Sequence, residues 1–210
     1  MAFTLETYAL TQVNDVKSII DIASGTTTWD QTFIELINSV TLWMENYCGG
    51  RRFGNTTVPT YTNETYDSNE MPSESDEKQK WLYLDNFPVT AFTTVEYRTG
   101  TSTYTSLDST AYETYTDRGA IYFYGGVPRG KKSVRVTYTA GYLIAWSSQS
   151  THTLPHDLTY ACRKLVLKEF SKRKAQGITR ESVGGAAIDW NEDLDPEIKD
   201  ILARYRRVFV

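Results

Sequence analysis

A chain of 210 residues, 40% hydrophobic and 23% charged, has room for one globular domain or for one domain carrying a sizeable insertion. Its formal net charge of -4 argues against a protein that grips nucleic acid over its whole surface. The first residues show no signal-peptide pattern, and no apolar run reaches the roughly 20 residues that cross a bilayer, so a cytoplasmic protein without a membrane partner is predicted.

Two helices are predicted in the first 50 residues. After Thr11, a candidate N-cap, apolar residues recur on one helix face over 13–23. A stronger pattern of steps of three and four covers 33–47, with Asp30 as its expected N-cap. The paired glycines at 49–50 are typical of a helix end.

From residue 56 to residue 142 the apolar period changes to two, which is typical of strands with one wet face. The segment at 63–78 carries many carboxylates and is too polar to pack, so we predict a mobile, solvated loop there. A metal site in this segment is a minor alternative, because its spacing matches no calcium loop. The strands are predicted at 81–84, 89–97, 111–115, 120–124 and 134–138, with a hairpin turn at 117–119.

Helical patterns return after this β-rich part. One begins at Leu154-Pro155 and ends in a basic stretch, 168–174, closed by Gly177. The last predicted helix begins at 195–197 and continues to Tyr205. A flexible connector is predicted before it, at 184–187. The predicted fold class is α+β: N- and C-terminal helices forming a bundle, with an inserted antiparallel sheet or small barrel. The predicted parts are an N-terminal helical part, 1–55; a β-rich insertion, 56–145; and C-terminal helices completing the helical domain, 150–210.

Residues able to support catalysis are few. The two histidines, His152 and His156, flank a loop-to-helix junction, and His156 beside Asp157 is poorly placed for a Ser/His/Asp site because neighbours at a helix start point apart. Cys48 and Cys162 lie in amphipathic patterns without metal-ligand companions, which predicts free, mostly buried thiols. We therefore predict no enzyme activity, no cofactor and no bound metal.

A glycine-rich stretch at 49–54 carries Arg51 and Arg52. It follows a helix instead of opening one, so it does not present helix N-terminal amides to a phosphate. The two arginines remain candidates for contact with DNA or with a neighbouring subunit. A DNA-binding module using the basic face at 168–174 is a separate alternative.

Taken in order, several segments resemble the phage head-tail connector (adaptor, head-completion) protein family. A helix ending in an aromatic residue is followed by "CGGRRF", ending at Phe53. "LYLDNFPVTAFTTVEY" at 82–97 and "VRVTYTAGY" at 134–142 are similar to the family's central sheet. "LPHDLTYACRKLV" from Leu154 and "GITRESVGG" from Gly177 are similar to its passage into the last helices. The β-rich middle resembles the larger members of the family.

The resemblance implies a structural subunit of a tailed bacteriophage that forms a ring, usually of twelve copies, under the portal and joins head to tail. The implied partners are the portal protein, further copies of the chain, a downstream stopper or tail protein, and genomic DNA that passes through the channel without sequence-specific binding. The implied location is the virion neck, after assembly in the host bacterial cytoplasm. The C-terminal segment is implied to dock onto the portal, through Tyr205, Arg206, Arg207, Val208, Phe209 and Val210.

The sequence is also compatible with other functions. Another neck or tail component, such as a stopper or a tail-completion protein, is the main alternative, although such proteins are mostly β. The charge distribution favours a channel component: residues 155–210 carry 11 basic and 9 acidic side chains, and residues 1–154 carry 11 and 17. An acidic part facing the channel would let DNA slide instead of adhering.

Overall fold

The structure is a computed structural model in which residues 2–68, 80–148, 150–172 and 194–207 are described, together with the backbone of 180–183 and 186–189. The chain forms two compact units. A helical unit joins Met1–Gly49 with Leu154–Arg206, and a sheet unit comprises Gly50–Thr153 with Arg207–Val210. Helices and antiparallel sheets are both present, so the predicted mixed α+β class is confirmed.

The helical unit contains four helices among its described residues: α1 Val13–Ile19, α2 Asp30–Tyr47, α3 His156–Lys172 and α4 Pro196–Arg204. Helix α2 packs against α3, α1 contacts both, and α4 packs on α3. The periodic apolar residues of α2, among them Phe33, Ile37 and Met44, are fully buried. Phe33 meets Phe170 of α3 with ring centroids 4.6 Å apart. Apolar burial at helical spacing therefore defines this core.

The start and end of α1 differ from the prediction. Gln12 is the N-cap, and Thr11 is buried, its hydroxyl accepting a hydrogen bond from Arg163 at 3.0 Å. The helix ends at Ile19 instead of continuing to residue 23, because the Lys17 carbonyl accepts from the amides of both Ile20 and Ile22. A carbonyl bonded in this way closes the last helical turn.

The predicted N-cap of α2 is also wrong. Trp29 occupies that position without a side-chain capping bond, and Asp30 is the first helical residue. The Asp30 carboxylate instead forms an ion pair with Lys17, whose side chain is 1% exposed. A charge so deeply buried needs an opposite charge close by, and this requirement outweighs the capping preference.

The sheet unit contains nine described strands. Its four-stranded sheet has the order β2-β8-β4-β5, a three-stranded sheet has the order β3-β7-β6, and β1 pairs with β9 in parallel. One core joins the inner faces of these strands, with Ile121, Val136 and Tyr138 fully buried. The bounds are β1 Gly54–Asn55, β2 Thr60–Ser68, β3 Trp81–Tyr83, β4 Val89–Arg98, β5 Tyr104–Ser106, β6 Tyr112–Tyr115, β7 Ala120–Phe123, β8 Gly130–Ala140 and β9 Tyr142–Leu143.

The five predicted strands of this unit are confirmed as β3, β4, β6, β7 and β8, and the predicted hairpin joins β6 to β7. Gly119 in its turn has φ +57°, a conformation that glycine adopts without strain. The described strands form open sheets, and no closed barrel is present among them. The strands β1 and β9 have two residues each, too few to show a period.

Two segments predicted to be irregular contain strands. The first six residues of the predicted acidic loop, 63–68, belong to β2 and pair with β8, while 69–79 lie outside the described residues. Of the predicted connector at 184–187, residues 186 and 187 belong to strand β11, Ala186–Asp189. This strand pairs in antiparallel fashion with β10, Arg180–Val183. The pair "GG" at 184–185 of the sequence belongs to the two-residue combinations that favour a hairpin.

Candidate docking and contact sites

The C-terminal segment follows a well-defined helix. The Asp195 side chain accepts a hydrogen bond from the Glu197 amide at 3.0 Å, and Pro196 occupies the first turn of α4. This arrangement favours helix initiation because an otherwise unpaired amide is satisfied and proline has the required φ angle. The buried face of α4 consists of Ile198, Ile201 and Leu202. The helix therefore fixes the position of the last residues of the helical unit, Tyr205 and Arg206.

Asp157 holds the end of α4 within the helical unit. The Tyr205 hydroxyl donates to Asp157 Oδ1 at 2.6 Å, and Arg204 Nη2 lies 3.2 Å from Asp157 Oδ2. The next residue, Arg206, is exposed. Of the predicted docking residues, Tyr205 is thus anchored at its hydroxyl, and Arg206 presents its side chain to solvent.

Arg207 belongs to the sheet unit, where it forms an ion pair with Asp85. Burial raises the pKa of Asp85 above its ordinary value, Arg207 acts in the opposite direction, and the carboxylate of Glu64 raises the pKa further. Arg207 therefore favours the ionised form of a carboxyl group that its surroundings disfavour. The remaining predicted docking residues, 208–210, lie outside the described residues.

A polar network lies beside Asp85 in the core of the sheet unit. The hydroxyls of Tyr66 and Tyr138 donate to Glu64 Oε2 at 2.7 and 2.6 Å, and the two hydroxyl oxygens are 3.2 Å apart. The Asp85 amide donates to the Tyr66 hydroxyl at 3.4 Å. Burial raises the pKa of both tyrosines, which keeps the hydroxyls protonated as donors. Shared tyrosine donors thus bind Glu64, and a backbone amide joins Asp85 to the same network.

The two arginines predicted to contact DNA or a neighbouring subunit have different environments. Arg51 is 1% exposed; its guanidinium carbon lies 3.5 Å from the ring centroid of Phe87 and 5.3 Å from that of Phe53. Arg51 also donates a hydrogen bond to the Phe87 carbonyl. The side chain of Arg52 is exposed, and its amide donates to Asn86 Oδ1 at 2.9 Å. Of these two arginines, only Arg52 has its side chain at the surface.

The histidines are held in local contacts. His152 Nδ1 accepts from the Ala145 amide at 3.1 Å, and its ring lies 4.7 Å from that of Trp146. His156 lines an open depression of the helical unit together with Asp157 and Tyr160. Over the parts of the chain that the structure describes, no three His, Cys, Asp or Glu side chains are placed to hold one metal ion.

The prediction of buried thiols is confirmed, since Cys48 and Cys162 are both buried and form no disulfide with each other. Burial raises the pKa of Cys162 to about 12, so this thiol is protonated at neutral pH. Its sulfur lies 3.9 Å from the hydroxyl of Thr41. Both cysteines therefore serve as packing residues in the helical unit.

Two surfaces were not recognised in the sequence. One face of the three-stranded sheet carries aromatic rings, with Trp81 lying 5.0 Å from both Tyr115 and Tyr122. In the helical unit, α2 and α3 border an open groove of about 440 Å³ that includes Trp43 and Leu165. Both surfaces contain residues that the alternating or helical pattern alone would assign to packing.

In the described part of the chain, no helix is both long and apolar enough to span a bilayer.

The chain has a mixed α+β fold, which is similar to that of chains in gene transfer agent (GTA) particles. One is from the neck of an empty GTA particle computed with C6 symmetry: 15% identity, TM-score 0.54, covering 100% of this chain and 95% of that one. Another is from the virion of a native gene transfer agent (GTA) particle: 16% identity, TM-score 0.52, covering 100% and 96%.

The sequence gives the more specific assignment. Residues 9–208 match the head completion protein family, and the chain belongs to that family. The resemblance recognised in the sequence is thereby confirmed. No curated protein matches the chain.

Proposed function

We propose that this protein is a structural head-tail connector (adaptor) subunit of a tailed bacteriophage or phage-like particle, which forms a ring under the portal, extends the DNA channel and joins head to tail. The observation that carries the proposal is the match to the head completion protein family over residues 9–208. The similarity to a neck chain over the full length supports it. The four helices favour a connector over the mostly β stopper and tail-completion proteins.

The ring contains twelve copies in this proposal. A ring of twelve includes six-fold symmetry, so the C6 symmetry used for the similar neck is compatible with six or twelve subunits. The N-terminal residues 1–55 and the C-terminal residues 150–210 form one helical domain, and 56–145 are its insertion. The grouping of Met1–Gly49 with Leu154–Arg206 supports this division.

The C-terminal segment from Tyr205 to Val210 docks onto the portal. Arg206 supplies an exposed charge, and Phe209 supplies an apolar side chain whose burial contributes about 1.5–3 kcal/mol. A ring repeats this small contact around its axis, so the whole assembly binds far more tightly than one subunit. The first residues of the segment are held in place, because Tyr205 contacts Asp157 and Arg207 contacts Asp85.

DNA passes through the ring without sequence-specific binding, and a downstream stopper or tail protein completes the neck. The excess of acidic side chains in residues 1–154 supports a channel that repels phosphate. Arg52 contacts either the DNA or the adjacent subunit. Assembly takes place in the host bacterial cytoplasm, and the protein acts through binding alone.

Electron microscopy of lysates from a phage lacking this gene tests the function. We expect full heads and finished tails to accumulate separately, and a plasmid copy of the gene to restore joined particles. Complete, infectious particles without the gene would contradict the proposal.

The docking segment is tested in the same complementation assay. A chain ending at Arg207 should leave heads without a neck ring, because Val208, Phe209 and Val210 are absent. The matched control is Tyr124→Ala, which removes a 56% exposed ring from the sheet unit and should restore joined particles. Normal neck rings formed by the shortened chain would contradict portal docking through this segment.

A further inference from the structure

Two groups among the exposed apolar side chains of the helical unit lie beside charged residues. The first, the α1 patch, consists of Ile19 and Ile20, which are 50% and 36% exposed, with Asp21 next to them. The second, the α2–α3 groove, has a volume of about 440 Å³ and contains Trp43, which is 43% exposed. The groove is lined by Leu36, Ser39, Val40, Trp43, Leu165, Lys168, Glu169, Lys172 and Leu194. Exposed apolar surface of this kind marks an interaction site more often than a random surface does.

The N-terminal segment of the chain and the α2–α3 groove contact opposite sides of helix α2. Thr41 faces the N-terminal segment, where its hydroxyl accepts from the Leu10 amide at 3.3 Å, whereas Trp43 lines the groove. Asn38 likewise donates to the Thr4 carbonyl at 2.9 Å, whereas Leu36 lines the groove. An α-helix turns about 100° per residue, so residues two positions apart point in directions about 160° apart.

Helix α3 shows the same separation. Arg163 forms an ion pair of 2.7 Å with Asp15 of α1, while Leu165, two positions later, lines the groove. Helix α1 and its patch therefore flank the α2–α3 pair on one side, and the groove lies on the other. This is the arrangement that a head-to-tail contact between identical subunits requires, because such a contact joins two different faces of the chain.

The two patches also carry opposite charges. Lys168 and Lys172 line the groove, with Glu169 paired to Lys172 at 3.1 Å. The α1 patch presents the exposed carboxylate of Asp21, while the basic residue of that helix, Lys17, is buried against Asp30. Two grooves facing each other around a two-fold axis would bring lysines together, which is unfavourable. The charges thus favour a contact between a groove and an α1 patch.

We propose that the α2–α3 groove binds a second copy of this chain: Ile19 and Ile20 of one subunit insert beside Trp43 of the next, and Asp21 faces Lys168. The inference rests on the proposed ring, which it deepens by naming the faces that meet. Each subunit uses its patch toward one neighbour and its groove toward the other. The same contact repeats from each subunit to the next. The ring closes when a whole number of these rotations makes a full turn.

Disulfide cross-linking within assembled particles tests the contact. A chain carrying both Ile20→Cys and Trp43→Cys, supplied to the gene-deficient phage, should form a ladder of covalent oligomers on oxidation, which dithiothreitol removes. Either substitution alone should give no ladder, because the native Cys48 and Cys162 are buried. Neck rings that contain the double variant but give no ladder would overturn the inference.

A charge exchange provides an independent test that needs no cross-link. Asp21→Lys and Lys168→Glu should each lower the number of heads carrying a neck ring by about tenfold, since like charges then meet in every contact. The two changes together should restore ring formation. Trp43→Glu should also abolish rings, whereas Leu42→Glu, on the same helix and similarly exposed at 41% against 43%, should not.

The outcomes separate the two proposals. If particles join without the protein, the neck function itself is wrong. If wild-type rings form but the charge exchange restores nothing and Leu42→Glu is as harmful as Trp43→Glu, the ring stands and the assigned faces are wrong. Circular dichroism of each variant confirms that the helices remain folded.

Discussion

The two units of the chain fill their interiors in different ways. In the helical unit, apolar side chains at helical spacing form the core, and the aromatic rings of Phe33 and Phe170 meet within it. In the sheet unit, Glu64 is bound by two tyrosine hydroxyls in the core, and the guanidinium of Arg51 is stacked on an aromatic ring. The helical unit also buries a charge, Lys17, but pairs it with a carboxylate that is 29% exposed.

This contrast determines what a substitution should do. Removing an apolar side chain from a close-packed core loses burial and leaves a cavity. Removing one member of a buried polar group leaves its partners without hydrogen bonds, which costs more than the bond itself contributes. The helical unit should therefore respond to lost volume, and the sheet unit should respond to lost partners.

The largest expected effect is in the helical core. Phe33→Ala should lower the free energy of unfolding by about 3–5 kcal/mol, because a fully buried ring is replaced by a cavity. Trp29→Ala is the control: this ring packs edge-on against the same Phe170 but is 38% exposed, so about 1 kcal/mol should be lost. Denaturant unfolding followed by circular dichroism measures both. Equal effects would show that contact with Phe170, and not burial, dominates.

The second effect concerns the stacked arginine of the sheet unit. Arg51→Met should cost about 2–3 kcal/mol, because the cation–π contact with Phe87 and the hydrogen bond to its carbonyl are both lost. Arg51→Lys should recover little, since an ammonium group cannot stack as a planar guanidinium does. Arg52→Met, next to it and exposed, should change stability by less than about 0.5 kcal/mol.

A different outcome would change the role of Arg51. If Arg51→Met left stability unchanged but prevented ring formation, the side chain would act at a subunit or DNA contact, as the sequence suggested for both arginines. The unfolding measurement and the complementation assay together therefore separate a packing role from a contact role.

The sequence predicted the helices of the chain because their apolar residues recur at steps of three and four, as in Phe33 and Ile37. The strands β4 and β8 were equally evident from alternation. The caps of α1 and α2 were predicted wrongly, because Thr11 and Asp30 have distant partners, Arg163 and Lys17, that no local pattern reveals. Local preference therefore identified the elements, and tertiary contacts decided their ends.

The candidate sites were less predictable than the fold. The family resemblance indicated the C-terminal segment, but nothing in the sequence linked Arg207 to Asp85, which lies on a distant part of the chain. Glu64 was assigned to a solvated loop because it stands in an acidic stretch. It is instead half-buried and accepts hydrogen bonds from Tyr66 and Tyr138, which come together only when β2 pairs with β8. Composition cannot distinguish a carboxylate with such partners from one in water.

The third prediction tests this polar network. Glu64→Leu should lower the free energy of unfolding by about 1–3 kcal/mol, because the hydroxyls of Tyr66 and Tyr138 lose their shared acceptor. The triple variant that adds Tyr66→Phe and Tyr138→Phe should recover part of this loss, since both hydroxyl donors are then removed while the Asp85 amide loses its acceptor. A triple variant less stable than Glu64→Leu would mean that the tyrosine hydroxyls have other essential partners.

The smallest expected effect is at the Arg207 ion pair, and it depends on pH. Burial raises the pKa of Asp85 in the folded protein, so its contribution to stability is present below the ordinary aspartate pKa and is lost as the pH rises through the raised value. Arg207→Ala removes the group that lowers this pKa, so the loss at higher pH becomes larger. The variant should equal the wild type below about pH 3.9 and fall at most about 1 kcal/mol below it near neutrality.

Urea unfolding at a series of pH values measures this difference, with Arg206→Ala as the control because that neighbouring side chain is exposed. The control should show a difference from the wild type that is independent of pH. A deficit of Arg207→Ala that persists below pH 3.9 would mean that Arg207 stabilises the sheet unit through packing instead of through the charge of Asp85. In that case Arg207 would be held by apolar contact area, as the core residues of the helical unit are. The sheet unit would then not depend on polar partners at the end of the chain.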